Sequence, residues 1–336
     1  MFSYKKELKD KIYNMENLVN VDYLRLSLTD RCNLNCIYCT PIQKSQFLNR
    51  EEVLSYEEMA RAVGLFVKAG VRKLRLTGGE PLIKKNIAGL IEMFEGIEGL
   101  KEISMTTNGV CLKGHAARLK EAGLARLNIS IDTLKREKFE LITGFDRFDD
   151  VWAGIMESLE ARLDPVKLNV ILMKGINDDE ILDFARLTLK YPLIIRFIEF
   201  FPTNKRSLKL SDVLVETRVL KEKISAHFGS IDSVSGILGN GPAEYYKLKG
   251  SKGAVGFINS SSANFCGSCN RIRLDCAGKV RPCLFCAPTH DLRPLLRGAQ
   301  DDGQVLEYLK DVFKIKSKFR KDISAKHQLE MSSIGG

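Results

Sequence analysis

Residues 23–39 read YLRLSLTDRCNLNCIYC, an apolar strand-like run followed at once by three cysteines. Cys32, Cys36 and Cys39 have the spacing C-x3-C-x2-C, and the next cysteine along the chain is Cys111. A structural zinc site closes with four ligands, and an ordinary ferredoxin cluster also takes four thiolates. Three thiolates on a four-iron cluster would leave one iron open to another ligand. A zinc knuckle that lacks one ligand is the plainer alternative.

The same run opens a regular alternation of strand-like and helical patterns. A helical pattern over residues 55–70, for example, begins with Ser55 and Glu58 at capping-box spacing. Such a rhythm predicts βα units with a parallel sheet. A closed TIM barrel needs eight units, so we expect a partial (βα)6 TIM-like barrel or an open doubly wound sheet. The six strand-like runs are residues 23–29, 71–79, 102–109, 126–132, 166–175 and 194–201.

The alternation ends near residue 203, where glycine and serine become frequent. We therefore expect two domains, a partial barrel over residues 1–240 and a smaller α+β region over residues 241–336. Near the C-terminus, residues 310–322 alternate basic and apolar side chains, which predicts a helix with a solvated charged face.

Composition narrows the classes of partner. The 336 residues carry 52 Lys and Arg against 42 Asp and Glu, a formal charge of +10. This excess favours an anionic partner, either nucleic acid or a phosphorylated small molecule. No apolar stretch is long enough to span a bilayer and the start is too charged for a signal peptide, so we expect a cytoplasmic protein. In that reducing compartment, nine cysteines are not expected to form disulfides. Cys111, outside both cysteine groups, is expected to be an inert buried thiol.

Unusual residues follow the predicted strands at their carboxyl ends, where α/β proteins place their sites. The cysteine loop follows the first strand, and TGGEP, residues 77–81, follows the second. The two glycines of that motif indicate either a tight turn or a close backbone approach to a ligand. Residues 106–109, TTNG, and residues 130–132, SID, follow the next two strands.

A second cysteine group lies at residues 266–286, CGSCNRIRLDCAGKVRPCLFC. It contains two C-x2-C pairs, which alone would favour a zinc site. Arg271 and Arg273 alternate beside these cysteines, so both side chains face the same side of a strand. Guanidinium groups bind phosphate bidentately. The group therefore predicts either a zinc ribbon or a second cluster with an anionic substrate beside it.

The C-x3-C-x2-C loop followed by TGGEP resembles the signature of the radical S-adenosylmethionine superfamily. Within it, the chain resembles the molybdenum cofactor biosynthesis protein A family of GTP 3′,8-cyclases. The resemblance rests on the cysteine loop, KLRLTGGEP, MTTNG, LNISIDT, VKLNVILMKGIND, RFIEF, FCGSCNRIRLD, GKVRPCLF and the terminal Gly-Gly, which occur in that order.

The resemblance implies a role for each matching position. The first three cysteines would hold the catalytic [4Fe-4S] cluster, and a second [4Fe-4S] cluster would bind Cys266, Cys269 and Cys283. The extra thiols Cys276 and Cys286 leave the third ligand of that cluster to the family match. The implied S-adenosylmethionine contacts are Tyr38, Gly79, Ser130 and Phe201, the last of which stands where many relatives have methionine. The implied GTP contacts are Arg25, Arg75, Thr106, Lys167, Arg271 and Arg273.

The implied reaction converts GTP to 3′,8-cyclo-7,8-dihydro-GTP by radical chemistry, with no acid–base catalytic residue. It requires an electron donor, and cyclic pyranopterin monophosphate synthase would act downstream. A homodimer is compatible with the resemblance, whereas a stable nucleic-acid or membrane partner is not expected. Gly335 and Gly336 would reach the active site. Two alternatives stay open: a radical enzyme that modifies an RNA or a peptide, and a zinc-binding module for nucleic acid.

Overall fold

The computed structural model describes residues 21–39, 47–200, 210–235, 241–259, 269–284, 290–298 and 301–319. All six predicted strand units are present as parallel strands. They are Tyr23–Ser27 (β1), Lys73–Thr77 (β2), Glu102–Thr107 (β3), Arg126–Ser130 (β4), Lys167–Leu172 (β5) and Ile194–Glu199 (β6).

Helices connect these strands in the predicted alternation. The capping box that opens the first helix is confirmed, because the Ser55 hydroxyl accepts a bond from the Glu58 backbone and the Glu58 carboxylate accepts one from Ser55. The helices are Tyr56–Lys68 (α1), Ile87–Glu95 (α2), Ala116–Glu121 (α3), Arg136–Thr143 (α4), Phe148–Glu160 (α5) and Ile181–Lys190 (α6).

The C-terminal part of the chain adds strands to both edges of the same sheet. Its helices are Leu210–Val213 (α7), Thr217–Phe228 (α8), Arg293–Arg297 (α9) and Asp302–Phe319 (α10). Its strands are Asp232–Ser233 (β7), Glu244–Lys247 (β8), Ala254–Ile258 (β9), Arg271–Leu274 (β10), Lys279–Arg281 (β11) and His290–Asp291 (β12).

The sheet has the strand order β12-β11-β10-β1-β2-β3-β4-β5-β6-β9-β8-β7. β9 pairs in parallel with β6, and β10 pairs in parallel with β1. The parallel part of the sheet therefore extends one strand beyond the predicted six at each edge. Strands from both sides of residue 240 share this sheet, and a domain boundary at that residue stays a prediction.

The two faces of the sheet differ in polarity. Leu24, Leu26, Leu74 and Leu76 belong to the main hydrophobic core together with helix residues such as Phe66. Successive strand residues point to opposite faces, so the residues between these leucines, Arg25 and Arg75 among them, occupy the face opposite the helices. Helices thus cover one face of the sheet. The opposite, basic face lies inside the partial barrel.

The last described helix, α10, packs against α1. Phe313 stacks on Phe66 with ring centroids 6.3 Å apart, and Val312 is buried beside them. The predicted helix is therefore present, and Lys310 and Lys314 lie on its exposed face as expected, whereas Lys316 is buried; residues 320–322 of the predicted stretch lie outside the described residues. In the described part of the chain, no helix has both the length and the apolar character that a membrane crossing requires.

Candidate functional site

The first cysteine loop leaves the carboxyl end of β1 and is held against the end of α4. The backbone N–H groups of Asn35 and Ile37 donate to the carbonyls of Thr143 and Ile142 at 2.8 and 2.9 Å. Cys39 N–H donates to the carbonyl of Cys36 at 3.0 Å, which closes a tight turn. The loop is therefore shaped by the backbone of the protein itself.

The three thiols of this loop lie close enough to affect one another. Burial raises the pKa of the Cys36 thiol well above its usual value, and Cys39, Asp132 and Cys32 raise it further. In the described residues, no three His, Cys, Asp or Glu side chains could hold one metal ion together. A four-iron cluster does not require this, because each thiolate binds a separate iron.

Tyr38 is anchored by a carboxylate behind the loop. Its hydroxyl donates to Asp132 Oδ2 at 2.5 Å, and the backbone N–H of Ile171 donates to Asp132 Oδ1 at 2.8 Å. Burial raises the pKa of Asp132 to about 6, although both hydrogen bonds lower it. Asp132 thus fixes the residue that precedes the last cysteine. Ser130, two residues earlier, ends β4 and is half-buried at the same edge of the sheet.

The glycine motif packs directly beneath the cysteine loop. A Cβ at Gly79 would lie 2.0 Å from the carbonyl oxygen of Arg31, and Gly79 N–H donates to the Thr29 carbonyl at 2.7 Å. The glycines therefore allow a close approach between two segments of backbone, and the approach to a ligand stays a prediction. This packing sets Gly79 directly beside the residue that precedes Cys32.

Glu80 of the same motif links the end of β2 to the end of β3. Its carboxylate accepts bonds from Thr107 Oγ1 and Asn108 N–H, both at 2.7 Å, and from Leu82 N–H at 2.9 Å. Burial raises the pKa of Glu80 to about 7. Asn108 Nδ2 in turn lies 3.7 Å from Cys32 Sγ and donates to Asn33 Oδ1 at 2.7 Å. The sequence motif TGGEP contains Glu80, but its role as a structural hub was not predicted.

Cys111 lies at the edge of this network. It is half-buried rather than buried, and Asn33 Nδ2 lies 3.5 Å from its sulfur. Burial raises the pKa of its thiol, which disfavours the reactive thiolate, and its inertness stays a prediction.

Three arginines form a row across neighbouring strands on the basic face. The register pairs Arg25 of β1 with Arg273 of β10 on one side and with Arg75 of β2 on the other. Burial lowers the pKa of Arg25 well below its usual value, and Arg273 and Arg75 lower it further. The buried Nε of Arg25 has no hydrogen-bond partner among the described residues. Like charges in this arrangement repel one another, so the row favours a bound anion.

Two other predicted GTP contacts, Thr106 and Lys167, lie on β3 and β5, to one side of the row. Arg75 donates to the hydroxyl of Tyr23 and, at 3.3 Å, to Thr106 Oγ1. Lys167 Nζ donates to the Tyr245 hydroxyl at 3.2 Å. Burial lowers the pKa of Lys167 to about 7, and Arg196 is the next largest cause.

Arg196 on β6 was missed by the sequence reasoning. Burial lowers its pKa to about 10, its Nη2 donates to Asn169 Oδ1, and within the described part of the chain its buried Nε has no hydrogen-bond partner. The signal was present in IIRFIEFF, where Arg196 alternates with buried Ile195 and Phe197 and so must face the barrel interior.

The second cysteine group lies beside the arginine row. Burial and Arg271 lower the pKa of Arg273 to about 10, while the nearby Cys269 and Cys283 act in the opposite direction. Burial alone would raise the pKa of Cys269, but the charges of Lys316 and Arg271 outweigh burial and bring it to about 7. Cys276 is buried in the turn between β10 and β11. Four predicted positions lie outside the described residues, namely Phe201, Cys266, Gly335 and Gly336. The extra thiol Cys286 also lies outside them.

Comparison with known proteins assigns the family. The Radical SAM superfamily matches residues 26–188, and Molybdenum Cofactor Synthesis C matches residues 193–321. GTP 3′,8-cyclase of Heliobacterium modesticaldum is 46% identical over 284 residues, which cover 84% of this chain and 87% of that protein. The chain belongs to the GTP 3′,8-cyclase family. The cyclase of Thermodesulfovibrio yellowstonii is 43% identical over 318 residues, 94% of this chain and 98% of that protein.

Family membership makes the chain an enzyme of the lyase class that functions in molybdenum cofactor synthesis. Its superfamily implies one [4Fe-4S] cluster and S-adenosylmethionine. The crystal structure of Streptococcus suis SuiB bound to S-adenosylmethionine matches this cyclase with a TM-score of 0.63 and 12% identity. That likeness covers 99% of this chain and 82% of SuiB, and it supports the partial-barrel fold alone.

Proposed function

We propose that this enzyme converts GTP to 3′,8-cyclo-7,8-dihydro-GTP. We also propose that the triphosphate group of the bound GTP lies along the arginine row. The row carries the proposal because Arg273, Arg25 and Arg75 stand side by side in one register. Guanidinium groups in a partly desolvated site bind phosphate strongly and stay charged. A triphosphate would relieve the repulsion within the row and provide an acceptor for the buried Arg25 Nε.

The first cysteine loop fits a [4Fe-4S] cluster with one open iron. Its donor set consists of thiols alone, which suits iron–sulfur clusters, and the loop geometry is fixed by α4 and by the glycine motif. Cys32, Cys36 and Cys39 would be the ligands. Tyr38, Gly79 and Ser130 would contact S-adenosylmethionine at the strand ends, and Phe201 would contact its adenosine.

We also propose that Cys266, Cys269 and Cys283 hold a second [4Fe-4S] cluster beside the substrate. Two observations support this: Cys269 and Cys283 both lie near Arg273, and cations around Cys269 favour its thiolate form. A zinc site made of the two C-x2-C pairs is the competing interpretation, and metal analysis separates the two.

The residues of the chain would act by binding and orientation. The arginine row would hold the triphosphate, and Lys167 and Thr106 would contact the nucleotide from neighbouring strands. When bound, the first cluster and S-adenosylmethionine would supply the radical chemistry that takes hydrogen from C3′ of GTP. The protein would hold the ribose and the base so that C3′ and C8 can bond, inside a partial barrel that limits access of water.

An anaerobic assay tests the proposal. Reconstituted enzyme is incubated with S-adenosylmethionine, a chemical reductant and either GTP or ATP, and products are separated by liquid chromatography with mass detection. We expect 3′,8-cyclo-7,8-dihydro-GTP from GTP and no cyclised product from ATP. If 5′-deoxyadenosine forms while GTP is recovered unchanged, the substrate assignment is wrong and an RNA or peptide substrate becomes the better candidate.

The proposed partners follow from the reaction. A one-electron donor must reduce the first cluster, and cyclic pyranopterin monophosphate synthase would consume the product. Cytoplasmic localisation and a homodimeric state are further parts of the proposal. Stable binding to nucleic acid or to a membrane is not part of it.

A further inference from the structure

Lys316 is a residue of α10 whose position the sequence pattern did not explain. The neighbouring lysines of this helix behave as solvated side chains, since Lys310 and Lys314 are exposed and pair with Glu307 and Asp311 one turn earlier. Lys316, by contrast, is only 3% exposed. Its Nζ lies 3.2 Å from Cys269 Sγ.

This position is fixed by the packing of the helix. Val305, Leu309 and Val312 are all fully buried, and Phe313 stacks on α1. At the start of the helix, Asp302 forms ion pairs with Arg61 and Lys68 of α1 at 3.4 and 2.9 Å. The ammonium group therefore reaches Cys269 because the fold holds it there.

A buried ammonium group needs a compensating negative charge, because desolvation is otherwise costly. No carboxylate of the described residues forms an ion pair with Lys316, and the observed acceptor is the sulfur of Cys269. A neutral thiol is a weak acceptor. A thiolate that ligates iron provides both the charge and the acceptor.

We infer that Lys316 is a positioning residue of the second cluster, where it donates a hydrogen bond to the Cys269 ligand and raises the reduction potential of that cluster. Hydrogen bonds to the sulfurs and the net charge around a cluster set its potential. A positive group beside the ligand stabilises the reduced, more negative state. The inference rests on the proposed second cluster, and the experiment below separates the two.

The test uses the full-length chain in a background with Cys32, Cys36 and Cys39 all changed to Ala, which removes the first cluster and its signals. Iron and sulfide are measured after anaerobic reconstitution. The potential is then measured by redox titration followed by electron paramagnetic resonance. The variants are Lys316→Arg, Lys316→Gln and Lys316→Met, with Lys314→Met as the matched control on the exposed side of the helix.

We expect Lys316→Met to lower the ratio of reduced to oxidised cluster at a fixed potential by at least about tenfold, equal to about 59 mV for a one-electron couple. Lys316→Gln should shift it less, and Lys316→Arg and Lys314→Met should match the parent chain. If Lys316→Met does not fold, the difference in reduction potential between the Lys316→Arg and Lys316→Gln variants tests the role of Lys316. Equal potentials in the Arg, Gln and Met variants that fold would overturn the role of Lys316. A background chain that holds zinc or no iron would instead overturn the second cluster.

Discussion

The two cysteine groups of this enzyme lie in opposite electrostatic surroundings. Burial raises the pKa of Cys32, with a further contribution from Glu80, and Asp132 has the same effect on Cys36. The pKa of Cys269 is instead held at about 7, because Lys316 and Arg271 outweigh its burial. The same residue type thus meets acidic neighbours in one group and basic neighbours in the other.

The contrast predicts different electronic behaviour. Acidic neighbours disfavour the addition of an electron to a cluster, whereas basic neighbours favour it. The first group therefore suits a cluster of low potential that donates electrons readily. The second group has basic neighbours, and it therefore suits a cluster that lies close to an anionic substrate.

The largest effect should come from removal of the first thiol set. Wild-type enzyme should carry roughly eight iron and eight sulfide, as two four-iron clusters require. The combined change of Cys32, Cys36 and Cys39 to Ala should leave about half of both and abolish turnover. Cys111→Ala serves as the control and should keep the full iron content. Complete loss of iron in the triple variant would show that only one cluster site exists.

The arginine row should account for a large part of the GTP affinity. Arg25→Ala and Arg273→Ala should each weaken binding by roughly 1.5–3 kcal/mol, about 10- to 150-fold, as for the loss of a hydrogen bond to a charged group. The ligand-free variants should be no less stable than wild type, since each change removes a repelling charge from the row. Titration calorimetry and thermal unfolding measure the two effects.

Arg118→Ala is the control for this pair, because Arg118 is exposed and pairs with Glu92 at 2.5 Å on the outer surface. It should bind GTP as wild type does. If the Arg25 and Arg273 variants bind GTP with unchanged affinity, the triphosphate does not lie along the row. The basic residues around Cys269 would then not be explained by an anionic substrate.

Much of this site could be predicted from the sequence because its signals are local. The six strands, their carboxyl-end motifs and the capping box of Ser55 and Glu58 each depend on residues close together in the chain. The parallel pairing of β9 with β6 and of β10 with β1 joins segments that lie far apart in the chain, so the local sequence pattern does not predict it. Lys316 was missed for the same reason, since its partner Cys269 lies on a different element and the local pattern around it is that of a solvated helix.

Lys167 should couple GTP binding to proton uptake. Its pKa of about 7, lowered mainly by burial, leaves it largely neutral at pH 8 in the ligand-free enzyme. A bound triphosphate favours the ammonium form, so binding at pH 8 should take up close to one proton, and the measured enthalpy should depend on the buffer. Lys167→Met should remove this dependence.

The lowered pKa of Lys167 also affects the stability of the fold. The unfolded chain keeps the Lys167 proton up to its usual pKa of 10.5, whereas the folded chain loses it above about 7. The unfolded state then binds more protons between these values, so the free energy of unfolding should rise with pH across that window. A Lys167→Met variant with the same rise as wild type would contradict this assignment.

The smallest effect concerns the acidic side of the contrast, at Tyr38. Its hydroxyl donates to the buried carboxylate of Asp132, whose pKa is raised to about 6 by burial and held down by this bond. Tyr38→Phe removes one donor, so the pKa of Asp132 should rise further while the ring keeps its packing. The free energy of unfolding should fall by about 1–2 kcal/mol at pH 8, where the carboxylate is charged, and by less at pH 5, where it is largely protonated.

Tyr56→Phe is the control, because the Tyr56 hydroxyl donates to the neutral carbonyl of Lys85 at 2.6 Å and its loss should cost the same at both pH values. Denaturant unfolding under anaerobic conditions measures both variants. Equal losses for Tyr38→Phe at pH 5 and pH 8 would show that Asp132 does not supply the negative charge assigned to the surroundings of the first cysteine group.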